Sequence, residues 1–216
     1  MDLKTLQTRA VNHGLMVMGA FSPKDIFPQD EAAGLVLIGA DVGFWSIFSQ
    51  SAEHADGCPD PIDRWSKRVM AEIADGTNAS LCFPSDGPPY APFIAWALAT
   101  GRFWQSPTGM MVHDTAGLMI SIRGAMTFPD RLPDIPAGSE NPCETCEDRP
   151  CVAACPVGAL SGHDAYDVPA CKAYLDTPGG VECMNNGCHV RRACPVSQRF
   201  ARPHAQSAFH MKAFHR

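Results

Sequence analysis

Cys143-Glu144-Thr145-Cys146-Glu147-Asp148-Arg149-Pro150-Cys151-Val152-Ala153-Ala154-Cys155-Pro156 is the stretch on which the reading of this sequence turns. Cys171, Cys183, Cys188 and Cys194-Pro195 follow it, so eight of the ten cysteines fall between residues 143 and 194. Two, four and three residues separate the first four. Gaps this short let a backbone wrap one centre and aim several sulfurs at it. Cys155 and Cys194 each precede a proline, which fixes φ, donates no N–H and turns the chain away after the sulfur.

Eight thiols in this order favour iron–sulfur chemistry. The run Cys143, Cys146, Cys151, Cys155-Pro156 is close to the bacterial ferredoxin pattern, in which the fourth cysteine ligates the other of two clusters. Eight thiolates supply two [4Fe–4S] cubanes with four soft ligands each. Structural zinc also takes four cysteines, usually from pairs of short hooks. Here only Cys143 and Cys146 form a two-residue hook, and two Cys-Pro endings are unexpected for zinc. A disulfide framework belongs to small secreted domains. Unconnected buried cysteines would not concentrate in one segment.

Outward from this stretch, the chain has 216 residues, room for one ordinary domain and a smaller appendage. Its 45% hydrophobic and 19% charged content indicate a folded protein. No apolar run approaches twenty residues, so no transmembrane helix is expected. Met1 to Thr5 lack the charged-then-apolar pattern of a signal peptide. With oxygen-sensitive clusters, this predicts a reducing cytoplasm and no membrane partner. Residues 183–216 carry +6 against −6 for the whole chain, leaving −12 on residues 1–182. Arg191, Arg192 and Arg199 lie in that basic tail, which reads either as a docking face for an acidic partner or RNA or as a solvated surface.

The front half alternates helix and strand signals. A helix is predicted over 2–13, a buried strand over 15–20, a loop bracketed by Pro23 and Pro28, and a strand over 35–39. The glycine turn at 39–43 leads into a helix at 44–48. Asp60 is placed to cap a helix that begins at Pro61 and runs through Ile62, Trp65, Val69 and Ile73. Residues 83–93 are too rich in proline for regular structure, and a short helix follows at 94–100. Residues 110–112 and 118–124, around a turn at 113–117, read as a β-hairpin. Residues 129–139 form a linker, and residues 205–214 a last helix. No catalytic signature appears. Asp63, Arg64, His113 and Arg123 are candidates for lining a pocket, each against the plainer reading of a helix-surface or turn residue. Cys58 and Cys82 read as small buried or loop residues. His189, His204, His210 and His215 lack ordered ligand spacing and default to surface or packed roles.

The back half resembles epoxyqueuosine reductase, the iron–sulfur and cobalamin enzyme of tRNA queuosine synthesis. That family has a four-cysteine run ending in Cys-Pro, an isolated cysteine, and three more ending in Cys-Pro. The isolated one here is Cys171-Lys172-Ala173-Tyr174-Leu175. The resemblance implies one cluster on Cys143, Cys146, Cys151 and Cys194, and a second on Cys155, Cys171, Cys183 and Cys188. This sequence has longer gaps after Cys146, Cys183 and Cys188 than the family pattern. The front half is similar to cobalamin C-type cobalamin-processing proteins through Asp60-Pro61-Ile62-Asp63-Arg64-Trp65 and residues 113–124. Both groups imply a flavin-reductase-like α/β domain that holds a corrinoid. The helical-repeat extension that the reductase uses for tRNA has no counterpart here, so tRNA is not expected as a partner.

These readings combine into an α+β protein. Residues 1–137 are expected to form a flavin-reductase-like α/β domain with a mixed sheet. A ferredoxin-like module with two [4Fe–4S] clusters is expected at 138–200, and a basic tail at 201–216. The expected function is electron transfer through the clusters to cobalamin or a substrate at the front domain, which as an enzyme is a corrinoid-linked oxidoreductase. The electron donor would be an acidic flavodoxin or ferredoxin. The alternative is a non-catalytic electron carrier whose front domain binds a protein.

Overall fold

A computed structural model describes every residue except Met1, Pro28, Asp30 and His163. The chain divides into two compact units, and the division is not a single cut. A sheet unit comprises Met1–Arg102 and Ser121–Ser139; a cysteine unit comprises Phe103–Ile120 and Glu140–Arg216. Residues 103–120, expected in the front domain, therefore group with the cysteine-rich half.

In the sheet unit, α1 (Leu3–Val11) starts where the Asp2 carboxylate accepts the Thr5 N–H at 2.7 Å. It buries Leu6 and Ala10, one turn apart on one face. Next come β1 (Leu15–Phe21), a single tight turn at Pro23–Asp25, and β2 (Gly34–Ala40). The Pro28 end of the expected loop lies outside the described residues. Every residue of β2 is buried, which is why Leu35-Val36-Leu37-Ile38 shows no polar alternation. α2 (Phe44–Phe48) and α3 (Ala52–Ala55) precede α4 (Pro61–Ala74). Phe44 and Phe48 stack at 5.3 Å, and Trp65 of α4 meets them edge-on at 5.2 and 6.0 Å. These rings form the unit's aromatic core. Asp60 does not cap α4: it sits in the left-handed region at φ 51° and its side chain makes no capping bond. Arg64 organises that entry instead, bonding both oxygens of Asp56 (2.7 and 2.8 Å) and the Pro59 carbonyl at 2.9 Å.

Beyond α4 lie β3 (Ser80–Cys82), too short to be read from the sequence, and α5 (Phe93–Ala99). The chain then makes an excursion through β4 (Phe103–Gln105) and β5 (Met111–His113) and returns as β6 (Ile122–Phe128). The sheet order is β1-β2-β6-β3, with every neighbouring pair antiparallel. The expected mixed sheet is thus corrected to an open antiparallel one: each strand runs opposite to its neighbours in the sheet, so no pair is joined as a parallel crossover. The register slips between Val17 and Gly19, leaving Met18 as a buried bulge. Its side chain lies against Gly39, where any Cβ would collide with it.

The predicted hairpin over 110–124 does not form. β5 pairs with β4, whereas Ile122–Phe128 pairs with β2 and β3. His113 and Gly117 exchange two backbone hydrogen bonds (3.0 and 2.9 Å) and close a tight loop. Leu118 and Met119 then turn their backbone groups to side chains of the cysteine unit, so no strand register continues past the loop.

In that unit, the described residues of 140–167 run in turns, followed by α6 (Val168–Leu175), α7 (Val181–Asn186), α8 (His189–Ala193), α9 (Pro195–Phe200) and α10 (His204–Phe214). A small core joins Val112 and Leu118 of the excursion to Cys151, Leu160, Val190, Cys194 and Val196. Polar bonds fix the excursion to it. The Leu118 N–H donates to Ser197 Oγ at 2.8 Å, Arg191 donates to the Leu118 carbonyl, and Arg202 donates to the Met119 carbonyl at 3.3 Å. Gly117 passes so close to the Ser197 backbone that a Cβ would clash.

Candidate functional site

All ten cysteines are free thiols. The eight of the motif separate into two sets of four, and each set draws on both halves of the sequence pattern.

The first set is Cys143, Cys146, Cys151 and Cys194. All four line one cavity of about 390 Å³, with Val112, Leu118 and Val196 among its apolar walls. The Asn141 side-chain carbonyl accepts the Cys143 N–H at 3.0 Å, a side-chain turn that starts the loop. Cys194 reaches this set from far along the chain. It stands in extended conformation between α8 and α9, and Pro195 opens α9, the position where a missing N–H does no harm. Burial pushes the Cys143 thiol up to about 11. Cys151, Cys194 and Cys146 add to the rise, and Arg149 opposes it. Cys151 is also raised by burial, then by Cys194 and Cys146, against hydrogen bonds from its own N–H and that of Val152.

The second set is Cys155, Cys171, Cys183 and Cys188. Cys171 lies on α6, whose N-terminus Asp167 caps by accepting the Ala170 N–H at 2.9 Å. Cys183 lies on α7, and Cys188 is the residue before α8. Burial raises the Cys171 thiol, the Tyr166 hydroxyl bonds the sulfur and opposes this, and Cys188 and Cys155 add to the rise. Burial likewise raises Cys183. The His189 N–H opposes, Cys188 adds, Arg192 opposes and Cys171 adds. The two Cys-Pro cysteines are therefore exchanged: Cys155 leaves the first run for the second set, and Cys194 does the reverse.

Among the described residues, no three His, Cys, Asp or Glu side chains converge on a single ion-sized point. Tetrahedral zinc, with bonds of about 2.3 Å, holds its sulfurs about 3.8 Å apart. A four-iron cubane carries one thiolate per iron and spreads them wider. The donor chemistry, four soft thiols in each set and a partly apolar cavity at the first, fits such a cluster.

The other candidates take structural places. His113 is fully buried, its Nδ1 accepts the Thr115 and Ala116 N–H groups at 3.2 and 3.1 Å, and its ring lies 4.6 Å from that of Phe103. It organises the turn that closes the excursion. Asp63 comes within 3.8 Å of Arg123, whose pKa burial lowers. Arg64 holds the 56–60 loop as described. Cys58 is exposed, and Cys82 lies on β3 with its thiol raised by burial. His189 meets Glu182 at 3.1 Å and His215 meets Asp176 at 2.8 Å, so two of the tail histidines face acids. Sequence reasoning missed Tyr166, whose neighbours Asp164, Ala165 and Asp167 carry no motif. It also missed the contribution of Val112 and Leu118. The only available signal for those two was their apolar character.

No family model matches this sequence. It is 27% identical over 130 residues to an epoxyqueuosine reductase of Cyclobacterium marinum, a match spanning 53% of this chain and 39% of that protein. The chain thus matches about two fifths of its relative's length. Among the described residues, no helix is long and apolar enough to cross a membrane.

Proposed function

We propose that this chain is an iron–sulfur redox protein that moves electrons through two [4Fe–4S] clusters to a corrinoid or substrate held by its flavin-reductase-like sheet unit. Cys143, Cys146, Cys151 and Cys194 hold one cluster; Cys155, Cys171, Cys183 and Cys188 hold the other. The observation that carries this reading is the exchange of Cys155 and Cys194 between the sets, which the ferredoxin arrangement requires and zinc hooks do not. The likeness to an epoxyqueuosine reductase supports it independently. When bound, such clusters take up and release single electrons. The chain's own residues supply the surroundings. Cys151, Cys183 and Cys194 are buried, and Val112, Leu118 and Val196 keep the first site partly apolar. The raised thiols must lose their protons as metal binds.

An acidic flavodoxin or ferredoxin remains the donor we propose. Arg199 is exposed on the wall of the first cavity and can serve such docking. Arg192 is paired with Glu182 at 2.7 Å and Arg191 is bonded to a carbonyl, which narrows the docking face from the three arginines of the tail to Arg199. Anaerobic analysis should find about eight irons per chain, as two cubanes need. Cys155→Ser should remove the cluster of Cys171 and leave that of Cys143. Four or fewer irons in the native chain, or zinc in their place, sinks the reading. An electron carrier whose front domain binds a protein is the second reading, favoured by the structural bonds that take up the pocket candidates Arg64, His113 and Arg123. Equilibrium dialysis decides: uptake of neither cobalamin nor flavin supports the carrier.

A further inference from the structure

The two sets of thiols differ in their surroundings. At the second set, the Tyr166 hydroxyl bonds Cys171 and the His189 N–H bonds Cys183. Tyr166 is held there by its ring, which stacks on Phe214 of α10 at 6.3 Å and 15°. Arg191 is half-buried, donates to the Leu118 carbonyl and faces Cys188 and Tyr166. Arg192 also faces Cys183, but Glu182 offsets its charge at 2.7 Å. At the first set, the N–H groups of Cys151 and Val152 donate to the Cys151 sulfur. The cations there are Arg149 and Arg199, both exposed on a cavity wall that also carries exposed Glu147 and Asp148.

Both sites have hydrogen bonds to sulfur, so the guanidinium and the hydroxyl separate them. An electron added to a cluster makes it more negative. A nearby cation or sulfur-directed donor stabilises that state more than the oxidised one and raises the potential. Water screens the exposed Arg149 and Arg199, and the carboxylates of Glu147 and Asp148 add to this. A half-buried guanidinium bonded to a carbonyl keeps more of its effect, and arginine does not escape by losing its proton.

We propose that Arg191 and Tyr166 hold the cluster of Cys155, Cys171, Cys183 and Cys188 at the higher reduction potential, so that a single electron on the protein rests there. The inference rests on the two-cluster reading above. The test is a redox titration of the anaerobically loaded full chain with dithionite and mediators, followed by electron paramagnetic resonance. Iron and sulfide are measured on the same samples. The native chain should titrate in two waves, and Cys171→Ser should displace the higher one, which assigns it. Arg191→Gln and Tyr166→Phe should each lower that wave by about tenfold in the reduction constant, about 59 mV for one electron. The lower wave should stay in place, and Arg191→Lys should restore most of the loss. Tyr166→Phe removes one hydroxyl and keeps the ring stacking, so it decides the matter if the arginine variant sheds iron. Full iron content with the higher wave unmoved in Tyr166→Phe overturns the inference. So does an equal displacement of both waves, or assignment of Cys171 to the lower wave. A native chain without two clusters overturns the two-cluster reading, and this inference with it.

Discussion

The sheet unit and the cysteine unit are held together by different physics. In the sheet unit, Leu35, Val36, Leu37 and Ile38 are completely buried, and Phe44, Phe48 and Trp65 pack ring to ring. Burial of large apolar side chains stabilises it, at roughly 1.5–3 kcal/mol each. The cysteine unit has short helices, long turns and a small core that includes two cysteines. Side-chain bonds to backbone groups secure its excursion: Ser197 and Arg191 on Leu118, Arg202 on Met119. The contrast teaches that the first unit rests on apolar burial, whereas the second sets free thiols and side-chain-to-backbone bonds around a small core.

Metal removal tests that contrast most severely. If clusters fill the second unit, stripping them with a chelator under reducing conditions removes binding free energy that is also folding free energy. Hydrogen exchange should then show protection over residues 140–200 falling by at least about a hundredfold, while β2 amides remain protected. Equal loss in both units, or loss in neither, breaks the comparison.

Paired substitutions sharpen it. Trp65→Ala should destabilise the sheet unit by about 3–5 kcal/mol in denaturant unfolding and leave iron content unchanged. Ser197→Ala deprives the buried Leu118 N–H of its acceptor and should cost the cysteine unit about 1–3 kcal/mol, with faster exchange at residues 117–119. A Trp65→Ala chain that sheds its iron would show the two units to be energetically inseparable.

The smallest effect lies at the surface of the sheet unit. Hydrogen bonds from Arg68 lower the Glu53 pKa to about 2 from 4.5. A depressed carboxylate stabilises the fold fully above about 4.5, and that contribution fades as pH falls towards 2. Glu53→Gln should therefore cost at most about 1 kcal/mol at pH 7, since Arg68 is half exposed. The difference from the native chain should vanish in unfolding measurements near pH 2; a gap that persists there assigns the effect to packing.

The sequence by itself determined a good deal here. The cysteine spacing and the two Cys-Pro steps marked the eight thiols, and apolar periodicity marked α1, β1, β2, α4 and the last helix within a residue or two. These signals are legible because they are local: a helix face repeats every 3.6 residues, and a wrapped centre needs short gaps. Tertiary structure alone decided the rest. Residues 110–124 carry the alternation of a hairpin, yet Ile122–Phe128 joins β2 and β3 and the excursion joins the cysteines. Pairing partners are chosen by burial and hydrogen bonding across long sequence separation, about which local pattern is silent. Arg191 looked like part of a basic docking face by charge count, and the fold turns it inward to the Leu118 carbonyl. Tyr166 has no motif at all; the fold brings its hydroxyl to Cys171 and stacks its ring on Phe214 of α10.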